Sequence, residues 1–178
     1  YEHIASEVTA RLMNRLRDGA RRKPALGKRA VVSAAPGERH ALGARIVSDF
    51  LHLDGWDVDF LGADMPGKEL ADFVGRTEPD LVAISAVLGE NLAPLKDAIR
   101  ALHAAAPHSK ILIGGAAIAN RDAAIVLGAD EFAEDAIRAT TAARELVGLE
   151  IGETLSALLG GIGENIHSLR RSKNWKQQ

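Results

Sequence analysis

Short unbroken apolar runs alternate with longer stretches of helical periodicity, and this constrains the chain more than any other feature. Ala30-Val31-Val32-Ser33-Ala34 is the first run and ends at Pro36-Gly37. Val58-Asp59-Phe60-Leu61 is the second, closed by Gly62. Leu81-Val82-Ala83-Ile84-Ser85 is the third, and Ile111-Leu112-Ile113, followed by Gly114-Gly115, is the fourth. Asp130-Glu131-Phe132 is a weak fifth. Helical stretches fall between them at about 40–54, 67–76, 91–105, 119–127 and 134–147. A strand that is apolar on both faces needs a helix layer on each side, and strand–helix alternation supplies it around a parallel sheet. The expectation is an α/β fold: a doubly wound parallel sheet of about five strands with flanking N- and C-terminal helices.

The spacing suits the flavodoxin-like (Rossmann-like) strand order 2-1-3-4-5, although periodicity alone does not fix that order. With 178 residues there is room for one domain and appendages. Residues 28–148 form the sheet domain. Residues 1–27 precede it as a helix over 2–22, with Ile4, Val8, Leu12 and Leu16 on one stripe, read as a connector or the remnant of a helical cap. Residues 149–178 form a basic helical tail, with one helix from Glu150 to Leu159 stopped by Gly160-Gly161, then an amphipathic segment over 162–171. A chain beginning at Tyr1 is expected to be part of something longer.

Composition removes several classes of function. The chain has no cysteine, so disulfides, thiolate zinc sites and cysteine nucleophiles are out. Aromatics are 4%, too few for a base-stacking platform. No apolar run reaches the ~18 residues of a membrane span, and no apolar signal-peptide core is visible, so a cytoplasmic protein is expected. The net charge of −2 conceals an asymmetry. Residues 1–29 carry eight Lys/Arg against three Asp/Glu, residues 163–178 four against one, and the middle is acidic. Basic ends suit nucleic-acid contact or a DNA-binding partner; they equally suit solvated helix faces.

In a doubly wound sheet the ligand lies beyond the carboxyl ends of the strands, where the strand order reverses. For order 2-1-3-4-5 that point falls between the first and third strands. The loop after the first strand carries Glu38 and His40 two residues apart. An extended loop puts both on one side, where the carboxylate could receive Nδ1–H of an imidazole that binds a metal through Nε2. A surface ion pair is the plainer reading. The other histidines, His3, His52, His103, His108 and His167, show no ligand spacing. A metal on His40 would therefore draw most of its ligands from elsewhere, for example from a macrocycle.

Glu38-Arg39-His40-Ala41-Leu42-Gly43 resembles the Asp-x-His-x-x-Gly signature of cobalamin-binding domains. Ser85-Ala86-Val87 stands where that family has Ser-x-Leu, and Gly114-Gly115 where it has Gly-Gly. The resemblance covers about residues 28–147. It implies base-off, His-on binding: His40 as the lower cobalt ligand, Ser85 offering its hydroxyl to the displaced nucleotide tail, and Gly43, Gly114 and Gly115 leaving room for it. Arg39, Ala41, Leu42, Val87 and Leu88 would complete the contact surface. Local readings stay open: Gly43 for close helix packing, Gly114-Gly115 as a turn, Ser85 as a strand end. Two positions depart from the pattern. Glu38 replaces Asp, and Val87 replaces Leu.

The resemblance leaves the form of the cofactor open among adenosyl-, methyl- and hydroxocobalamin. The Gly-Glu-x-His-x-x-Gly version is similar to cobalamin-dependent transcription regulators, some of them light-responsive. Ile162-Gly163-Glu164-Asn165-Ile166-His167-Ser168-Leu169-Arg170-Arg171, with Asn174-Trp175 and Gln177, is similar to the opening of a repressor-type helix-turn-helix. The leading expectation is thus a cobalamin-binding sensory module, with a homo-oligomer in view. The alternative is a corrinoid protein carrying methyl groups for a cobalamin-dependent methyltransferase. A flavodoxin-like interaction domain without cofactor is the third reading.

Overall fold

The computed structural model describes residues 22–150. In chain order these form β1 (Arg29–Ala34), α1 (Leu42–Leu53), β2 (Asp57–Gly62), α2 (Gly67–Thr77), β3 (Leu81–Ser85), a 3-10 turn (Gly89–Asn91), α3 (Leu92–Ala105), β4 (Lys110–Gly114), α4 (Arg121–Leu127), β5 (Glu131–Ala133) and α5 (Ala136–Leu146). The five strands make one sheet in the order β2-β1-β3-β4-β5, and every pairing is parallel. This is the doubly wound, flavodoxin-like order expected from the sequence.

Alternate strand residues feed opposite faces. Val31, Val82, Ile84, Ile111 and Ile113 pack with Leu70, Val74, Leu95, Ile99 and Leu102 of α2 and α3. Ala30, Val32, Leu81, Ala83 and Leu112 pack with Leu51 of α1 and with Ala139, Ala142 and Ala143 of α5. Small alanines on the second face let α1 and α5 lie close to the sheet, while the first face is filled by larger aliphatics. Local chemistry starts two of the helices. Asn120 and Asp135 cap α4 and α5, accepting from Ala123 N–H at 2.9 Å and Arg138 N–H at 2.8 Å.

Differences from the sequence reading are small and physical. The stretch expected to be helical from about 40 enters its helix only at Leu42, because the loop before it is held by other bonds. Gly114 closes β4 rather than following it, and β5 runs 131–133 instead of 130–132. The 3-10 turn before α3 was not expected. The helices expected over 2–22 and 150–159 lie outside the described residues except for Arg22 and Glu150, which are not helical, and the helix-turn-helix resemblance lies wholly outside them. Among the described residues no helix is long and apolar enough to cross a membrane.

Candidate functional site at the carboxyl edge of β1 and β3

β1 is the strand at which the order reverses, pairing with β2 on one side and β3 on the other. The loops after β1 and β3 therefore meet at the carboxyl edge. The first begins with a tight turn in which Glu38 N–H donates to Ala35 O at 2.9 Å. Pro36 fits its second position and Gly37, at φ +80°, its third. The turn sends the Glu38 side chain inward, where it is fully buried.

Five donors meet the Glu38 carboxylate. Oε1 accepts the His40 backbone N–H at 3.1 Å and faces His40 Nδ1 at 2.5 Å. Oε2 accepts Val87 N–H at 3.1 Å, Leu88 N–H at 3.0 Å and Asn91 Nδ2 at 3.1 Å. The carboxylate thus joins the β1 loop to the β3 loop. Burial pushes its pKa up, but the donors from His40, Leu88 and Val87 outweigh that, and it is lowered from 4.5 to about 2. At neutral pH Glu38 is therefore an ionised acceptor. The proton in the Glu38–His40 bond then belongs on Nδ1, and in the neutral ring Nε2 carries the lone pair. The His40 side chain is 46% exposed, so the ring faces outward from a buried base.

Asn91 was not read from the sequence as a site residue. It sits at the start of α3, where Asn usually caps the helix, yet its side chain makes no cap bond. Its amide is committed to Glu38 instead, and the residue is buried. The β2 loop joins in through Asp64 N–H, which donates to Glu38 O at 2.9 Å.

Beside this cluster a cavity of about 280 Å³ opens between the sheet and the helices α1 and α5. Gly43, Ser85, Gly114 and Gly115 all line it, together with aliphatic residues such as Val32 and Ala83. Three sequence motifs thus converge on one space. A Cβ on Gly43 would stand 2.8 Å from Ser85 Oγ, so Gly43 also lets α1 approach β3. Gly115, at φ +103°, lies so close to Ala86 O that a side chain there would overlap it. A Cβ on Gly114 would overlap Ala133 O. These glycines thus pack closely against neighbouring atoms and also line the cavity. Leu42 and Leu88 are exposed apolar side chains, at 38% and 39%, on the two segments that meet at Glu38. Arg39 is exposed, Val87 half-buried, and Ala41 precedes α1 with its carbonyl accepting Arg45 N–H at 2.8 Å.

The arrangement sets a half-exposed imidazole beside exposed apolar side chains and a largely aliphatic cavity. Its parts are a half-exposed imidazole bonded through Nδ1 to Glu38, exposed Leu42 and Leu88, and the cavity with the buried Ser85 hydroxyl. Among the described residues no group of three or more His, Asp or Glu could hold a metal ion, so a metal on His40 needs ligands brought by another molecule.

Residues 28–145 match the family model of the B12 binding domain. The chain belongs to that family and is a cobalamin-binding domain. Dimethylamine corrinoid protein 3 of Methanosarcina acetivorans is 34% identical over 113 residues, 62% of this chain and 53% of that protein. Its namesake in Methanosarcina mazei is 30% identical over 148 residues, 81% of this chain and 88% of that protein. The HTH-type transcriptional repressor CarA of Myxococcus xanthus is 33% identical over 137 residues, 75% of this chain and 46% of that protein. The chain spans about half the length of the first and third of these relatives. A cobalamin-binding protein of Desulfitobacterium hafniense has the same fold, with TM-score 0.63 and 29% identity over 71% of this chain and 60% of its own.

Proposed function

We propose that this domain holds cobalamin base-off and His-on, and carries methyl groups between partner proteins of a cobalamin-dependent methyltransferase system. The observation that carries the binding mode is the Glu38–His40 pair: a buried, five-fold bonded carboxylate that holds Nδ1 of a half-exposed imidazole. His40 would be the lower cobalt ligand in this reading, and Glu38 sets its tautomer and ring orientation. Leu42 and Leu88 receive the apolar macrocycle at the rim. Gly43, Ser85, Gly114 and Gly115 line the space for the displaced tail, with the Ser85 hydroxyl as its polar contact. When bound, cobalamin supplies the methyl-carrying chemistry. The chain's own work is to hold, orient and shield it.

The methyl-carrier reading now stands ahead of the sensory one because similarity to dimethylamine corrinoid proteins extends over 81% of this chain in the Methanosarcina mazei relative. A regulatory role keeps one specific support, the similarity to the repressor CarA.

Visible absorption separates these ideas in stages. Hydroxocobalamin added to wild-type protein is expected to give a His-on spectrum that His40→Ala lacks. Methylcobalamin-loaded protein is then expected to lose its methyl group to a thiol acceptor only when a methyltransferase is added. Binding with no methyl transfer, joined to a light- or ligand-driven change in oligomer size, would favour the regulator instead.

A further inference from the structure

The opposite end of α1 from His40 gathers charge into the interior. Asp54, immediately after α1, is 1% exposed. Its Oδ1 accepts from Lys23 Nζ at 2.9 Å and from Arg144 Nη2 at 3.1 Å, and its Oδ2 from Arg144 Nε at 2.6 Å. The two cations come from different parts of the chain. Lys23 belongs to the segment entering the domain, which is laid along the end of α1. Lys23 N–H donates to Leu53 O at 2.8 Å and Leu26 N–H to Gly55 O at 3.0 Å. The Arg22 guanidinium donates to the carbonyls of His52 at 3.1 Å and Trp56 at 3.0 Å. Arg144 lies near the end of α5, and the segment leaving the domain folds back on it. Leu149 N–H donates to Arg144 O at 2.9 Å, and Arg144 Nη1 donates to Glu150 O at 2.9 Å.

A buried ion pair gives little net stability, because desolvation offsets the attraction; its best-attested use is to fix register between elements. The negative end of the α1 dipole favours both cations at this place. Neither reason requires that one carboxylate serve two segments, yet Asp54 does. We propose that Asp54 is a shared clamp that makes the segments entering and leaving the domain, residues 22–26 and 147–150, open and close as one unit. This inference is independent of the cofactor reading. Its consequence for the protein is that the chain on either side of the domain is addressed together, at the far end of the helix that begins two residues after His40.

Residue-resolved amide hydrogen exchange on the full chain, without cofactor, tests the clamp. Arg144→Met is expected to speed exchange of the Lys23 and Leu26 amides at least tenfold, although the structure gives Arg144 no bond to either. Lys23→Met is expected to do the same to the Leu149 amide. Val82 and Leu112 amides in the sheet report whether the domain stays folded. If Arg144→Met removes sheet protection as well, Lys23→Met decides alone, because that side chain is 26% exposed and its loss is the milder change. Exchange confined in each variant to the segment that was altered would overturn the proposal.

Discussion

Glu38 Oε1 lies 2.5 Å from His40 Nδ1, a fully buried carboxylate against a ring that is nearly half exposed. The pair spans the boundary between protein interior and candidate ligand. Everything bonded to Glu38 therefore bears on how His40 is presented.

Glu38→Gln keeps the shape but replaces an ionised acceptor with a neutral amide. It is expected to weaken corrinoid binding about 10- to 100-fold, the usual cost of losing a partner that orients a ligating imidazole. Spectroscopic titration with hydroxocobalamin measures this. Affinity equal to wild type would remove the orienting role from Glu38.

Acid stability follows from the same residue. Glu38 ionises at about 2 in the folded protein and at 4.5 ordinarily. Its folded pKa is depressed, so its contribution is fully present above pH 4.5 and is lost as pH falls toward 2. That contribution is about 3 kcal/mol at neutral pH, taking 1.36 kcal/mol per pKa unit. Denaturant unfolding of the cofactor-free protein is expected to show stability falling over this window. In Glu38→Gln the fall should be shallower by about that amount, and equal slopes would contradict the assignment.

Asn91→Asp places a second carboxylate against Oε2. Like charges at this range oppose ionisation, so the variant is expected to be less stable at pH 7 by about 1–3 kcal/mol and to regain part of that loss at mildly acid pH. Asn91→Ala leaves one Glu38 bond unmade and should cost about 1 kcal/mol without the acid recovery. Urea unfolding at two pH values distinguishes these. A loss independent of pH in Asn91→Asp would mean that packing, not charge, sets the effect.

The glycines separate fold from ligand. Gly115→Ala forces a side chain onto a φ of +103° and into Ala86 O, so it is expected to destabilise the fold by about 2 kcal/mol or more. Gly43→Ala meets only the Ser85 hydroxyl, at 2.8 Å, and adds a methyl group to the cavity wall. It should lower corrinoid affinity by more than it lowers stability. Thermal unfolding measured beside cobalamin titration checks both.

The sheet was legible because its inner strands β1, β3 and β4 are apolar on both faces, as in a doubly covered parallel sheet. β5 was faint because Glu131-Phe132-Ala133 has three residues and one large apolar side chain. The two-residue spacing of Glu38 and His40 alone favoured a plain ion pair; they entered the candidate site, with Gly43, Ser85, Gly114 and Gly115, through the family resemblance. Asn91 was not legible, since its role arises only when the β1 and β3 loops come together, 53 residues apart. Val87 and Leu88 entered as side chains in contact with cofactor. Their backbone N–H groups bind Glu38, and a backbone donor leaves no mark in sequence. The Asp54–Arg144 pair, 90 residues apart, was hidden for the same reason of distance.

The central claim, that His40 presented by Glu38 is the ligand for cobalt, is tested most directly by electron paramagnetic resonance of the protein with reduced, paramagnetic cobalamin, using ¹⁵N-histidine-labelled chain. The account predicts hyperfine splitting from a single ¹⁵N-histidine nitrogen that disappears in His40→Ala and weakens in Glu38→Gln. Splitting from the cofactor's own unlabelled benzimidazole nitrogen in the wild-type protein would contradict it.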